Sequence, residues 1–509
     1  MFHSVCEMNQ VFTGNGNGAN GHLQQAKKMI APSASAPLSD DKGNHVTFQT
    51  AEGVRLHGAL SRVTRHLAVF ELYNPGVTPR FSEVLGEFTI TMQSRTVYFG
   101  RAVVSKVLDA GVKMVCEAML DAAQWADVSS ELMGQRKGLI AGEFKQFIRE
   151  WQKNYKVLPE FKVVVADMQT MLHDLKLWLE HVELGLWAVP APERKDMEQQ
   201  VLKQIGELFV PAFDALHERY ENVSEQISND LRPMHRAFSQ RQLHPLTLCS
   251  PFANRAYVKP LGYAGDYEMV NMIALNPFQG DTLFAKIVNL WFLSQWPSKA
   301  HRNRLAYLKE RLENETWRVT RAKRPARIFN FACGPAIEVQ RFLADFRGCE
   351  QAEFTLADFN EQTLEYLGQA TGSIKKRLAL RTSIRFQKKS VNQLIKEHLT
   401  AKRKGEKPAY DFIYCAGLFD YLPDNICRQL MEIFYNWLAP DGLLAATNVD
   451  SDKPFRQMLE FVLDWHLIYR DVEGCKSLIP QGVPDDARRV MKDQTGVNNF
   501  IEVRKPRCE

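Results

Sequence analysis

Residues 327–338 read RIFNFACGPAIE, and this stretch decides how the C-terminal part of the chain folds. A short apolar run ends in Cys-Gly-Pro-Ala, and helical apolar spacing follows at Val339, Phe342 and Leu343. The pattern predicts a strand, a tight turn at Gly334 and the start of a helix. Because glycine has no side chain, backbone N–H groups of such a turn can closely approach a nucleotide-like ligand.

Around this turn, from residue 325 to 509, apolar runs alternate with helical patterns. This alternation predicts an α/β domain with a doubly wound sheet. The predicted strands are 327–331, 353–357, 382–387, 410–415, 443–447 and 500–504, and the predicted helices are 337–346, 361–370, 391–399, 424–438 and 455–467.

The N-terminal part has a different organisation. Residues 1–44 are rich in Gly, Asn, Ser and Pro, which predicts a disordered tail. Residues 45–118 read as short strands separated by turn residues, which predicts a small β-barrel. Residues 119–250 predict a helical bundle or linker, with a break at residues 190–192. An apolar seam at Met168, Leu172, Leu175, Leu179 and Val182 could also mediate a homodimer.

Residues 251–324 predict a helical lid and substrate segment. Residues 254–267 read NRAYVKPLGYAGDY, with tyrosines on glycine-flanked loops and Asp266 placed as a helix N-cap. The stretch fits a capped loop–helix junction as well as a polar lid over a pocket. Residues 298–327 carry ten Lys or Arg against three Glu. A solvated helix face is the default for such a run, and attraction for a substrate carboxylate or an acyl carrier protein is the alternative.

Bulk properties exclude several classes of protein. A length of 509 residues predicts several domains, and a net charge of +5 argues against a nucleic-acid partner. The nine cysteines never form CxxC, which favours a reducing compartment and no structural metal. We expect no membrane span, no signal peptide and a cytoplasmic location.

Several motifs of residues 325–509, in the right order, resemble those of class I S-adenosylmethionine-dependent methyltransferases, whose domain is Rossmann-like. They are NFACGPA at 330–336, Asp358 after a strand, Lys-Ser-Val at 389–391, DFIYCAGLFDYLPD at 411–424 and LAPDG at 438–442. The resemblance implies S-adenosyl-L-methionine as cofactor. It implies cofactor contacts at Asn330, Ala332, Cys333, Gly334, Pro335, Asp358, Phe359, Ser390, Val391, Cys415, Ala416 and Gly417.

The chain departs from the family's pattern at four positions. Asn330 replaces the usual first acid, Ala332 and Ala336 replace glycines, and Ser390 replaces an aspartate. Asn and Ser still form hydrogen bonds, so cofactor binding is expected. A carboxylate about 20 residues after a glycine turn suits a ribose diol. A dehydrogenase is disfavoured because the GxGxxG spacing is absent.

A narrower resemblance covers about residues 254–470. The segments KPLGYAGDYEM, HRNRLAYLKERL, AGLFDYLPD and LDWHLIYR resemble bacterial methyltransferases described as making 3-hydroxypalmitic acid methyl ester, a quorum-sensing signal. This implies methyl transfer to the carboxylate of a 3-hydroxy fatty acid, a small-molecule acyl substrate. The candidates for orienting that carboxylate are Tyr263, Tyr267, Arg302, Arg304 and Tyr421, with Asn448 and His466 as weaker ones. Two alternatives stay open: a methyltransferase of another small molecule, and a non-catalytic scaffold that senses a nucleotide.

The barrel resembles a PilZ-type module, the bacterial domain that binds cyclic di-GMP. The family's arginine motif would fall near Arg62 and Arg65, although the arginine spacing differs. The second motif has no clean match, since residues 81–86 keep only a Ser and a Gly. Cyclic di-GMP is therefore disfavoured as a partner, and a degenerate barrel used for docking is the alternative.

Overall fold

The structure is a computed structural model. It describes residues 44–507 except 74–76, 93–94, 110–112, 123, 126–147, 149–156, 405–408 and 453–454. The predicted disordered tail therefore lies outside the described residues, except for Asn44.

The predicted small barrel is confirmed as a closed barrel of six strands. In chain order they are β1 (His45–Gln49), β2 (Arg55–Thr64), β3 (Leu67–Tyr73), β4 (Val84–Met92), β5 (Arg95–Asp109) and β6 (Lys113–Leu120). Around the barrel the order is β1-β2-β3-β6-β5-β4. Alternate side chains point inward, and the rings of Phe48, Phe70 and Phe88 pack with centroids 5.4–5.8 Å apart. Strand β5 spans 15 residues and is longer than the short strands that the sequence predicts, with a register shift against β6 between Val104 and Lys106.

The predicted helical region follows. Its helices are α1 (Pro159–Trp187), α2 (Ala191–Glu225), α3 (Arg232–Thr247), α4 (Pro251–Val258), α5 (Tyr267–Ala274), α6 (Leu283–Ser294) and α7 (Trp296–Thr320). The predicted break lies between α1 and α2. Met168, Leu172 and Leu179 of the seam are buried in the chain's own helical core. They offer no surface to a second copy, and the homodimer stays a prediction.

A seven-stranded sheet forms the C-terminal part. Its strands are β7 (Ala326–Phe331), β8 (Ala352–Asp358), β9 (Ser383–Lys388), β10 (Tyr410–Cys415), β11 (Leu438–Val449), β12 (Arg488–Lys492) and β13 (Asn498–Arg504). Its helices are α8 (Ile337–Asp345), α9 (Glu361–Leu378), α10 (Val391–Lys404), α11 (Asp424–Trp437), α12 (Arg456–Phe461) and α13 (Val472–Lys476). The order is β9-β8-β7-β10-β11-β13-β12. The first five strands are parallel, and β13 is antiparallel to both neighbours.

Helices cover both faces of this sheet, and buried side chains along β7, β8, β10 and β11 point alternately to the two faces. Phe329, Ile413 and Leu444 belong to the core that α11 covers. Their neighbours in sequence, such as Ile328 and Phe412, belong to the core formed with α7, α8 and α9. The strand order reverses between β7 and β10, and in open α/β sheets ligands bind outside the carboxyl ends of the strands at such a point.

The chain between β11 and β12 leaves the sheet and enters the helical region. Phe455, Met458 and Phe461 are buried in the core of α1–α6. The next residues reach Asp464, whose carboxylate is fully buried. It accepts hydrogen bonds from Arg101 of β5 (2.7 Å) and from Arg236 of α3 (2.5 and 2.7 Å). One carboxylate therefore joins the barrel, the helical region and the C-terminal part.

Among the described residues, no helix combines the length and the apolarity that crossing a bilayer requires.

Candidate functional site

A cavity of about 210 Å³ lies at the carboxyl ends of β7, β8 and β10, where the strand order reverses. Three chain segments close it from the helical side: residues 263–273, residues 297–308 and the stretch around Trp465. Arg80 and Phe81, which precede β4 of the barrel, complete the wall. The predicted glycine turn and the predicted lid thus face the same space.

The turn after β7 keeps a left-handed backbone at three positions. The φ angles are 56° at Ala332, 52° at Gly334 and 43° at Ala336. Two alanines therefore adopt the conformation that glycine favours, which costs about 1 kcal/mol each. A Cβ built on Gly334 would meet no atom within 4 Å, so the space in front of the turn is open.

Asp358 ends β8 and faces this space. Its carboxylate accepts backbone hydrogen bonds from Gly334 (3.1 Å) and Asn360 (2.9 Å). Burial raises the pKa of Asp358, while these N–H groups and the nearby Arg80 oppose the rise. A carboxylate offers about four acceptor positions, so Asp358 can still receive hydrogen bonds from a ligand diol.

A second buried acid, Glu338, lies behind the turn. Its carboxyl accepts hydrogen bonds from Tyr414 (2.8 Å) and from the Asn330 amide (3.2 Å). Burial raises the pKa of Glu338. Asn330 and Glu338 both border the cavity, and the amide of Asn330 serves first to hold Glu338 in place.

Arg304 of α7 brings a positive charge to the cavity wall. Its Nη2 donates to the His301 imidazole, 3.0 Å from Nδ1, and no carboxylate lies within 4.0 Å of its guanidinium in the described ranges. A Cβ at Gly417 would lie 3.0 Å from Arg304 Nη1, so glycine leaves room for this side chain. Burial, followed by Arg304, holds the pKa of His301 well below its usual value. Asp420 favours the charged form of Arg304 without lying in hydrogen-bond contact with it, and a half-buried cation of this kind suits an anionic ligand.

Three of the predicted tyrosines border the cavity. The Tyr263 ring lies 4.9 Å from that of Phe359, and Tyr267 lies 4.9 Å from Tyr366. The Tyr421 hydroxyl accepts a hydrogen bond from Trp465 Nε1 (2.9 Å). Burial raises the pKa of Tyr263 and of Tyr421, so both are neutral hydrogen-bond donors near pH 7.

Other predicted substrate residues lie elsewhere. Arg302 points away from the cavity and donates to the backbone carbonyls of Ile273 (3.3 Å) and Leu293 (3.0 Å). Asn448 is fully buried and donates to the Ile468 carbonyl (2.9 Å). His466 packs against the barrel, where its backbone carbonyl accepts a hydrogen bond from Ser82 Oγ (2.9 Å). Arg302 thus bonds to the last turns of α5 and α6, and Asn448 and His466 bond to the chain between β11 and β12 or to the barrel; none of the three borders the cavity.

Of the predicted cofactor residues, the structure places Ala332, Cys333, Gly334, Pro335, Phe359, Ala416 and Gly417 on the cavity wall, together with Asn330 and Asp358. Ser390, Val391 and Cys415 lie outside the lining. Ser390 lies just before α10, where its backbone nitrogen donates a hydrogen bond to Gln393 Oε1 (2.9 Å). Val391 and Cys415 are buried in the core under α11.

Residues that the sequence reasoning missed include Arg80, His301, Glu338 and Trp465, all of which border the cavity. Glu338 lies four residues after Gly334, within the stretch already singled out, so its place in the motif was a usable signal. Arg80 is separated from Asp358 by most of the helical region, and no local pattern pointed to it.

The basic character of α7 is largely used inside the chain. Arg311 pairs with Glu502 (2.7 Å), Arg318 with Asp441 (3.0 Å), and Lys309 with Glu313 (2.9 Å). An acyl carrier protein as partner therefore stays a prediction.

No family model matches the chain, and no curated protein matches it. Solved structures with similar parts include an exported-protein candidate from Bordetella parapertussis (17% identity, TM-score 0.39), covering 50% of this chain and 86% of that chain. Magnesium protoporphyrin IX methyltransferase from Synechocystis PCC 6803 with bound SAH is 10% identical (TM-score 0.29), covering 42% and 87%. N-methyltransferase NodS from Bradyrhizobium japonicum WM9 in complex with S-adenosyl-L-homocysteine is 14% identical (TM-score 0.28), covering 47% and 98%. At these values the likeness assigns neither a family nor an activity.

Proposed function

We propose that this protein is an S-adenosylmethionine-dependent O-methyltransferase of the doubly wound α/β type that methylates the carboxylate of a 3-hydroxy fatty acid. The product would be a methyl ester of the kind used as a quorum-sensing signal. One observation carries the proposal: a single cavity joins a buried diol acceptor, Asp358, to the half-buried guanidinium of Arg304, which has no carboxylate in hydrogen-bond contact among the described residues.

The residues around Asp358 fit the nucleoside half of the cofactor. Asp358 would accept hydrogen bonds from the ribose hydroxyls, and the open space at Gly334 admits the ligand close to the backbone. Phe359 offers an aromatic surface next to the carboxylate. The backbone of Ala416 and Gly417, at the carboxyl end of β10, lies on the side of the cavity nearer Arg304.

The residues around Arg304 fit an ionised acyl substrate. An apolar wall next to Arg304 can hold an aliphatic chain, and it includes Val270, Ile273, Phe292, Leu305, Leu308 and Leu459. Arg304 would bind the carboxylate, and the neutral phenols of Tyr263, Tyr267 and Tyr421 are within the same wall as further donors.

The chemistry asks for orientation more than for acid–base catalysis. When bound, the cofactor would supply an electrophilic methyl group on a sulfonium, and a carboxylate oxygen of the substrate would accept that methyl group with the neutral thioether as leaving group. A carboxyl group with an ordinary pKa near 4 is already ionised at pH 7, so the protein needs no general base. Its task is to align the nucleophile and exclude water, which the closed helical side of the cavity favours.

Calorimetry tests the cofactor part of the proposal. We expect the full chain to bind S-adenosylmethionine and Asp358→Ala to weaken binding at least tenfold, about 1.4 kcal/mol. The exposed Asp486, changed to Ala, is the matched control and should leave the affinity unchanged. A wild-type protein that shows no heat of binding at millimolar cofactor would sink the proposal.

Turnover with labelled cofactor and 3-hydroxy fatty acids of several lengths tests the substrate part. Arg304→Gln should raise KM at least tenfold while cofactor affinity is retained, and Arg304→Lys should recover part of the loss. Arg321, which is exposed and directly follows α7, serves as the control when it is changed to Gln. Turnover of a different small molecule alone would favour another methyltransferase, and binding without any turnover would favour a nucleotide-sensing scaffold.

A further inference from the structure

We infer that the N-terminal barrel supplies a positioning residue of the cofactor site, Arg80, which acts through Phe359 and Asp358. The inference rests on the proposed cofactor site and extends it to a part of the chain that lies before the helical region. According to this inference, the barrel forms part of the proposed active site and is not a separate docking module.

The guanidinium of Arg80 is held on the cavity wall by two contacts. Its carbon lies over the Phe359 ring, 4.4 Å from the centroid, and its Nη2 donates to Glu52 (2.5 Å). A cation over an aromatic face is attracted by the ring's quadrupole, so the two side chains fix each other's orientation. Phe359 directly follows Asp358, and all three residues border the same cavity.

Hydrogen bonds within the barrel fix the backbone at Arg80. The buried Glu83 accepts hydrogen bonds from the backbone nitrogens of Ala51 (2.6 Å) and Arg80 (2.7 Å). Both oxygens of this carboxyl are thereby used to shape the turn before β4. A side chain projecting from such a turn loses little further freedom when it contacts a ligand.

The same turn is also pinned to the rest of the chain. The nitrogen of Val84 donates to the Gly262 carbonyl (2.7 Å), and Ser82 Oγ donates to the His466 carbonyl (2.9 Å). Tyr263, the neighbour of Gly262, packs on the Phe359 ring as Arg80 does. The barrel and the loop before α5 therefore converge on one aromatic side chain of the cavity.

Electrostatics supply the reason for a cation at this place. The titratable and charged groups that face Asp358 are Arg80 with its partner Glu52, Tyr263, Cys333 and, beyond the backbone of residue 389, Lys389. Burial raises the pKa of Asp358, and Arg80 is the cation that lowers it. Without Arg80 a larger fraction of Asp358 is protonated at a given pH, and a protonated carboxyl is a poorer acceptor for a diol.

The test measures cofactor affinity of the full chain from pH 5 to 9. Arg80→Met should weaken S-adenosylmethionine binding at least tenfold at pH 6, with a smaller loss at pH 9, and Arg80→Lys should recover part of it. Arg55 is the control, because it lies on the exposed surface of the same barrel and pairs with Glu87. Arg55→Met should bind as the wild type does. Equal affinity of Arg80→Met and the wild type at every pH would overturn the inference, and so would a loss independent of pH.

A second measurement needs no cofactor. Because burial raises the pKa of Asp358 and Arg80 opposes the rise, thermal denaturation of Arg80→Met should show a Tm deficit that grows as the pH rises and Asp358 ionises, and that shrinks towards acid pH. In an Asp358→Asn background this pH dependence should disappear. Persistence of the same dependence in that background would refute a role through Asp358. Failure of the wild type to bind S-adenosylmethionine would instead defeat the proposed function, and the denaturation cycle would still decide on Arg80.

Discussion

At the scale of single residues, the turn after β7 combines tolerated strain with open space. Ala332 and Ala336 keep the left-handed backbone of a glycine motif, because the strands and helix around them hold the turn in place. Gly334 has the same backbone conformation and all three residues border the cavity, but a Cβ added at Gly334 would lie in open space. The one glycine that the motif retains is thus the position where a methyl group would intrude on a ligand.

We predict that Gly334→Ala weakens S-adenosylmethionine binding at least tenfold and lowers stability by about 1–2 kcal/mol, the usual cost of a left-handed alanine. Calorimetry and urea denaturation measure the two effects. Gly482, with φ of 83° and no atom within 4 Å of an added Cβ, is the matched control. Gly482→Ala should share the stability loss and keep the affinity. Equal affinities in both variants would contradict an open cofactor space at Gly334.

The burial of His466 leads us to predict that its contact with the barrel weakens at acid pH. Burial lowers its pKa from 6.5 to about 4, and its Nε2 has no hydrogen-bond partner among the described residues. Because the folded-state pKa lies below the unfolded one, the contribution to stability is intact above pH 6.5. It is lost as the pH falls from 6.5 towards 4, by up to about 3 kcal/mol.

Denaturation midpoints measured between pH 4 and 8 should therefore fall less steeply for His466→Gln than for the wild type. His57, which is exposed on β2, serves as the control when changed to Gln. An unchanged slope for His466→Gln would show that another group governs the acid limb.

At the scale of elements, Asp464 is the contact that ties β5 and α3 to the segment before β12. Burial opposes its ionisation, yet Arg236 and Arg101 hold its pKa well below the usual value. Gln240 of α3 donates a further hydrogen bond (2.8 Å). The Asp464 carboxylate is fully buried and Arg236 nearly so, so solvent screens this ion pair little.

We predict that Asp464→Asn destabilises the protein by about 3–5 kcal/mol, because a buried guanidinium loses its counter-charge. Urea denaturation with an unchanged m value is the measurement. Asp167→Asn removes an exposed pair with Arg219 (3.0 Å) and should cost less than about 1 kcal/mol. Similar losses in the two variants would argue against a special role for the buried junction.

The elements also show what the sequence could predict. Strands β7, β8 and β10 are buried on both faces, so they read as apolar runs and were predicted to within one residue at each end, whereas β11 begins five residues before the predicted strand at 443–447. Strand β12 is a short, largely exposed edge with Arg488, Arg489 and Lys492, and it carries no such signal. The helix predicted at 455–467 is shorter in the structure, where only α12 (Arg456–Phe461) is helical. The apolar residues of this stretch pack into the helical core and not onto the sheet.

The residues of the candidate site also differ in whether the sequence could predict them. Residues that lie together in one motif, from Ala332 to Gly334, or that end a strand, such as Asp358, were predicted from the resemblance of the motifs, and they border the cavity. Arg80 reaches the cavity through its contact with Phe359, which lies 279 residues later in the chain. Arg302 and His466 lie in segments that were predicted to carry substrate-binding residues, but their side chains do not border the cavity. The direction of a side chain depends on tertiary packing, which a single sequence does not reveal.

At the scale of the whole molecule, the C-terminal part is not self-contained. Residues 455–463 complete the core of α1–α6, and loss of that core would expose Phe455, Met458 and Phe461. We predict that a fragment of residues 325–509 is insoluble or binds hydrophobic dyes, whereas the full chain is soluble and does not. Coexpression with residues 43–324 should restore solubility. A fragment that stays soluble and unfolds cooperatively would contradict the prediction.

The return of residues 455–464 into the helical core has a consequence for biosynthesis. That core is built mainly from residues 157–293. At about 5–20 residues per second, a ribosome needs on the order of ten to thirty seconds to extend the chain from there to Asp464. During this interval the nascent helices carry an unfilled apolar groove, so chaperone occupancy should peak on chains stalled before Phe455 and fall on chains stalled beyond the sheet's last strand.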